Sequence, residues 1–198
     1  MKNNESLQAL VDALKCLPGV GPKSALRLAY YLLQRDRKGA QHLSNSIADA
    51  LERLGHCNLC NNFSEEPICN ICQTTTRDAE TLCIIEMPTD LLMLEQTHSY
   101  QGLYFVLMGR LSPLDGIGPN DIHLNKLLKR IKEANIKEII LATNYTNEGN
   151  ATAQYIKELL RELPIKISRI ARGLPMGGEL EYVDSGTLAQ SLLDRKSI

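Results

Sequence analysis

Four of the chain's six cysteines fall between 57 and 72, as Cys57-Asn58-Leu59-Cys60 and Cys69-Asn70-Ile71-Cys72, with eight residues separating the pairs. Each Cys-x2-Cys pair can bring two thiolates to one tetrahedral ion at about 2.3 Å Zn–S. The residues between the pairs hold little apolar material, so a metal would be the core of this segment. Two disulfides or a redox pair are the alternatives. The polar start Met1-Lys2-Asn3-Asn4-Glu5 does not resemble a secretory signal, so a cytoplasmic location is expected, where disulfides are rare. Structural zinc on Cys57, Cys60, Cys69 and Cys72 is therefore expected. Four thiolates close the coordination sphere and leave no position for a reacting water. His56 abuts the first ligand and is expected beside the site, not in it.

This segment divides a chain of 198 residues, 43% hydrophobic and 23% charged, into regions of different character. No apolar run approaches the roughly 18 residues that a membrane-spanning helix needs. The net charge of −1 speaks against a general affinity for polyanions, but its distribution is uneven. Lys15, Lys23, Arg27, Arg35, Arg37 and Lys38 are opposed over their stretch by one acid, Asp36. That local field matters more for a nucleic acid than the total does.

Leu7, Leu10, Val11 and Leu14 recur at helical spacing and predict a first helix over 5–16. Leu17-Pro18-Gly19-Val20-Gly21-Pro22 interrupts it. A second helix is predicted from Pro22, with Ala25, Leu28, Ala29, Leu32 and Leu33 inward, and a third over 41–54, with Leu43, Ile47, Leu51 and Leu54 inward. Gly19 and Gly21 can take positive φ and carry no side chain, so amides at the start of the second helix can approach a phosphate closely. Lys23 and Arg27 lie one turn apart on that helix and could neutralise neighbouring phosphates. The stretch resembles the helix-hairpin-helix motif, whose members bind the DNA backbone without reading sequence.

From 73 onward strands and helices alternate. Strands are predicted over 82–86, 103–108, 138–142 and 165–171, and helices over 88–96, 120–135, 151–163 and 187–193. Alternation of this kind implies a mainly parallel sheet covered on both faces, with ligands gathering at the strand C-termini. Glu86 closes the first strand, and Asn144-Tyr145-Thr146-Asn147-Glu148-Gly149 follows the third. The arrangement resembles the Toprim domain, in which a glutamate and an Asp-x-Asp pair hold magnesium for phosphoryl transfer. In this chain the two aspartate positions fall on Asn144 and Thr146. Two neutral oxygens are poor substitutes for magnesium carboxylates, which favours a structural or partner-binding role for Glu86 and Glu148. Two glycine-rich loops, 109–119 and 172–182, lack the Gly-Lys-Ser/Thr of a phosphate-binding P-loop, so ATP hydrolysis is not expected.

The order of these parts, together with the stretches at 16–25, 111–119 and 177–184, resembles the RecR family of bacterial recombination mediators over essentially the full length. One departure is Asn144-Tyr145-Thr146, where the family usually has Asn-Pro-Thr. The fold class expected is multidomain, α plus α/β. It comprises a helix-hairpin-helix domain at 1–56, a four-cysteine zinc module at 57–72, a linker at 73–78, a Toprim domain at 79–173 and a C-terminal loop and helix at 174–198. The resemblance implies a DNA repair protein without enzymatic activity. It implies dimers or ring-like tetramers that work with RecO and RecF to promote RecA loading at single-stranded gaps. It places Gly19, Gly21, Lys23 and Arg27 against DNA, and Glu86 and Glu148 toward a partner protein. Two other readings stay open: a magnesium-dependent nuclease or topoisomerase-like enzyme on the same sheet, and an adaptor that never meets DNA.

Overall fold

The computed structural model describes residues 4–195; the polar start at 1–3 and the last residues of the C-terminal segment, 196–198, lie outside the described residues. Two compact units are present, Met1–Leu54 and Gly55–Ile198.

In the first unit, α1 (Glu5–Leu14) and α2 (Pro22–Gln34) pack around Val11, Ala25 and Ala29, with Leu7, Leu10, Leu14 and Val20 against them. The two alanines of α2 face α1, and their small side chains let the helix axes approach. α3 (Arg37–Arg53) begins four residues before its predicted start, because the Asp36 carboxylate accepts from the Gly39 amide at 2.8 Å and caps the helix. Of the expected inward positions, Leu28 and Leu33 are exposed, and α3 buries no residue: Leu43 is 46%, Ile47 51% and Leu51 81% exposed. The apolar stripe on α3 exists, but nothing within its own unit covers it.

The second unit opens with the cysteine module. Strands β1 (Gly55–His56) and β2 (Phe63–Ser64) pair antiparallel, and the short helix α4 (Asn70–Gln73) carries the last cysteine. The chain then enters β3 (Asp78–Ile85), which starts four residues earlier than its apolar run suggests. α5 (Pro88–Gln96), β4 (Gly102–Val106), α6 (Leu124–Glu133), β5 (Glu138–Ala142), α7 (Asn147–Leu159), β6 (Lys166–Arg169) and α8 (Ser185–Leu193) follow. The sheet order is β4-β3-β5-β6 and every pairing is parallel.

Alternation along β3 sorts the two cores. Leu82 and Ile84 point toward Leu124, Leu127 and Ile131 of α6 and Ala153 and Ile156 of α7, whereas Cys83 and Ile85 join Leu91 of α5 on the opposite face. A side-chain period of two thus gives helices on both faces of the sheet, as expected. Burial pushes the Cys83 thiol up to about 12, and it packs as a small apolar side chain.

An edge strand leaves a row of unpaired backbone groups, and the open edge of β4 is covered by two devices. The cysteine module meets Val106: its N–H donates to the Cys60 carbonyl and its carbonyl accepts from Asn61 Nδ2, both at 2.8 Å. Arg130 of α6, only 7% exposed, donates from Nη1 to the Tyr104 carbonyl at 2.6 Å and to the Leu59 carbonyl at 2.7 Å. The module is therefore continuous with the sheet.

Candidate metal centre and nucleic-acid interface

The four cysteines converge. Their sulfurs lie within 4.8 Å of one another, with Cys60 Sγ and Cys69 Sγ 3.4 Å apart. A tetrahedral site of four sulfurs on zinc needs sulfur separations of about 3.8 Å, so the donor set fits zinc in number, chemistry and spacing. Cys57 and Cys60 are buried. The loop closes through Asn61, in the left-handed region at φ 61°, whose N–H donates to the Cys57 carbonyl at 2.9 Å. Its contact with Cys69 above all, then with Cys72, and then burial hold the Cys60 thiol far above its ordinary range. A divalent cation that neutralises thiolate charge relieves this crowding. His56 stands outside the cluster, stacked on Phe63 at 5.1 Å with Nδ1 at 3.0 Å from the Asn61 carbonyl. Zinc here holds structure. It fixes the loop that seals the edge of β4.

The turn between α1 and α2 has the form that a phosphate contact needs. Gly19 adopts φ +79°, and the Val20 N–H donates to the Leu17 carbonyl at 3.1 Å. Gly21 does not need the left-handed region: at φ −82°, ψ 175° it is the extended N-cap of α2. An added Cβ at either glycine would meet no atom within 4 Å, so both face open space. With glycine at the N-cap, no side chain caps the first turn, and its amides are left for an outside acceptor. Lys23 and Arg27 are exposed one turn apart on this helix. Neither makes an ion pair among the described residues, whereas Lys15 is held by Asp12 at 2.5 Å. Asp36, the acid of this stretch, is occupied as the α3 cap.

At the C-terminal end of the sheet, Glu86 is 1% exposed. Its Oε1 accepts from the Asn144 N–H at 2.9 Å and its Oε2 from Asn144 Nδ2 at 2.7 Å, with Arg110 Nη1 at 3.9 Å. Asn144 thus binds both oxygens of the glutamate. Gly149 lies so close that an added Cβ would meet the Asn144 carbonyl and stand 2.7 Å from Glu86 Oε1. Thr146 caps α7, its Oγ1 accepting from the Gly149 N–H at 3.1 Å. Glu148 sits half-buried in the first turn of α7. Glu86 is thus buried, whereas Glu148 is half-buried and Asn144 and Arg110 are exposed at the same end of the sheet. Among the described residues, the four cysteines alone form a group of three or more metal-ligating side chains that converge.

Tyr145, Arg169 and Arg172, for which the sequence suggests no site role, meet at the same end of the sheet. The two guanidiniums lie 4.1 and 4.3 Å from the centre of the Tyr145 ring. The signal available was weak, since arginines beside glycine-rich loops are common.

Comparison with known protein families matches four stretches of the chain. Residues 7–51 match the RecR helix-hairpin-helix model, 54–74 the RecR four-cysteine zinc finger, 80–171 the Toprim domain and 173–196 the RecR C-terminal model. Four matches in this order, over a hairpin, a four-cysteine zinc centre and a parallel sheet with Asn144 bound to Glu86, make the chain a member of the RecR family.

Proposed function

We propose that this protein is a recombination mediator that grips DNA through its phosphate backbone, without reading sequence and without enzymatic activity of its own. The observation that carries the reading is the uncapped start of α2 behind the Gly19 turn, with Lys23 and Arg27 beside it and free of ion pairs among the described residues. Backbone amides and two cations suit phosphate oxygens and offer nothing specific to a base edge. The exposed stripe of Leu43, Ile47 and Leu51 on α3 supports a dimer or ring-like tetramer, since apolar area of that kind is normally covered. In the ring, the hairpins form a clamp. Glu148 and its surroundings form a surface for RecO or RecF, and the complex promotes RecA loading at single-stranded gaps.

The binding of Glu86 by Asn144 favours this reading over magnesium-dependent strand cleavage, because the carboxylate that would hold the ion is engaged by an amide. The test is RecA filament assembly on gapped DNA coated with single-strand-binding protein, with RecO present. Wild-type protein is expected to accelerate assembly and Lys23→Glu/Arg27→Glu to abolish the acceleration. Full activity of the charge-reversed protein would instead support an adaptor that does not touch DNA.

A further inference from the structure

A cleft of about 500 Å³ opens at the C-terminal ends of β5 and β6, lined by Tyr145, Arg172, Asp184 and Thr187 among others. This is the end of a parallel sheet where ligands collect. Tyr145 is the organising side chain. Its hydroxyl donates to the Ile170 carbonyl, which pins the ring beside the end of β6. Arg169 and Arg172 both lie against that ring. Arg169 also donates from Nη2 to the Asn144 carbonyl at 3.2 Å, and its Nε is buried without a hydrogen-bond partner. Arg172 is exposed, and neither arginine forms an ion pair among the described residues. A flexible cation has thus been ordered on an aromatic face with its donors free, which lowers the entropy cost of accepting an oxyanion.

We propose that Arg172, ordered by Tyr145 and backed by Arg169, is a second phosphodiester contact for single-stranded DNA, separate from the α1–α2 hairpin. The choice of ligand rests on the DNA-binding reading above. The charge of the cleft favours a diester. Asp184 lines it too, but its carboxylate is spent on α8, accepting from the Thr187 N–H at 2.9 Å and Oγ1 at 2.6 Å. Arg172 in the lining and Arg169 against the Tyr145 ring set two guanidiniums against that carboxylate, which leaves a single positive charge at this end of the cleft. That matches a phosphodiester better than a phosphomonoester, which carries a charge of about −1.5 to −2 at neutral pH. Gly173 leaves open space beside Arg172, so a chain can pass the guanidinium.

The test measures binding of a labelled single-stranded oligonucleotide to the full chain across a salt series. Arg172→Ala is expected to weaken binding several-fold and to lower the slope of log K against log salt by about 0.7, the contribution of one phosphate on a single strand. Arg172→Lys keeps the charge and should keep the slope. Tyr145→Leu should keep the slope and lose affinity. Thermal melting of each variant separates lost contact from lost fold. Wild-type affinity and slope in Arg172→Ala, with both reduced in Lys23→Gln/Arg27→Gln, would overturn this proposal and leave the hairpin standing. The reverse pattern would remove the hairpin reading and keep this one. No binding by the wild type at the lowest salt would also overturn it.

Discussion

Asn61 and Val106 lie 45 positions apart in sequence, yet the amide side chain of the first donates to the carbonyl of the second at 2.8 Å. The Cys60 carbonyl takes the Val106 N–H in the same place, so a zinc knuckle completes the hydrogen bonding of an edge strand. Removing zinc should therefore be felt in the sheet. One zinc per chain is expected on metal analysis. Stripping it with a thiol reagent and chelator should open 57–72 to proteolysis and reduce hydrogen-exchange protection at the Val106 amide. Protection that survives metal loss would show that the knuckle holds without its ion.

Arg130 caps the same edge with two charge-assisted bonds, to Leu59 and Tyr104. Arg130→Met preserves much of the aliphatic length and leaves both carbonyls unsatisfied. The expected cost is about 3 kcal/mol, given about 1–3 kcal/mol for each stranded buried group. Denaturant unfolding of the unit Gly55–Ile198 reads it directly. A change within about 0.5 kcal/mol would mean that water replaces the guanidinium.

Asn144→Asp should turn an attraction into a repulsion. The substituted side chain faces the Glu86 carboxylate with like charge and loses the Nδ2 donor, now at 2.7 Å from Oε2. A loss of about 2 kcal/mol is expected, with partial recovery on adding magnesium, which two adjacent carboxylates can hold. Gly149→Ala, with its Cβ aimed at Glu86 and the Asn144 carbonyl, should be at least as damaging. A stable Asn144→Asp protein indifferent to magnesium would show that the amide does not restrain Glu86.

The two hairpin glycines should separate fold from binding. Gly19 sits at φ +79°, so Gly19→Ala forces a left-handed alanine and should cost the first unit about 1 kcal/mol. Gly21 is extended and faces open space, so Gly21→Ala should leave melting unchanged and weaken DNA binding by placing a methyl group where the phosphate approaches. Equal melting shifts in the two variants would contradict the distinction.

What the residues disclosed in advance follows from how local each signal is. The cysteine spacing names its own ligand set, and the alternation of Leu82, Cys83, Ile84 and Ile85 sorts itself onto two faces without knowledge of the neighbours. The start of β3 at Asp78 was hidden, because a polar strand end has no hydrophobic periodicity and is fixed by pairing, as Asp78 is with Gly102. The spacing of Leu43, Ile47 and Leu51 revealed a stripe but not what covers it. Arg130 could have been noticed as a charge on the same face of α6 as Leu127 and Ile131, where its burial requires fixed acceptors. The pairing of Glu86 with Asn144 depends on β3 and β5 being neighbours, and only the fold supplies that.

The central claim is that the α1–α2 hairpin holds DNA by its phosphates. The most direct measurement is anisotropy of labelled gapped duplex DNA over a salt series, for wild-type protein and Lys23→Gln/Arg27→Gln. Loss of two phosphate contacts should lower the slope of log K against log salt by about 1.8 and weaken binding at every salt concentration. An unchanged slope and affinity in the double variant would contradict the account, because the two cations beside the uncapped start of α2 would then carry none of the contact with DNA.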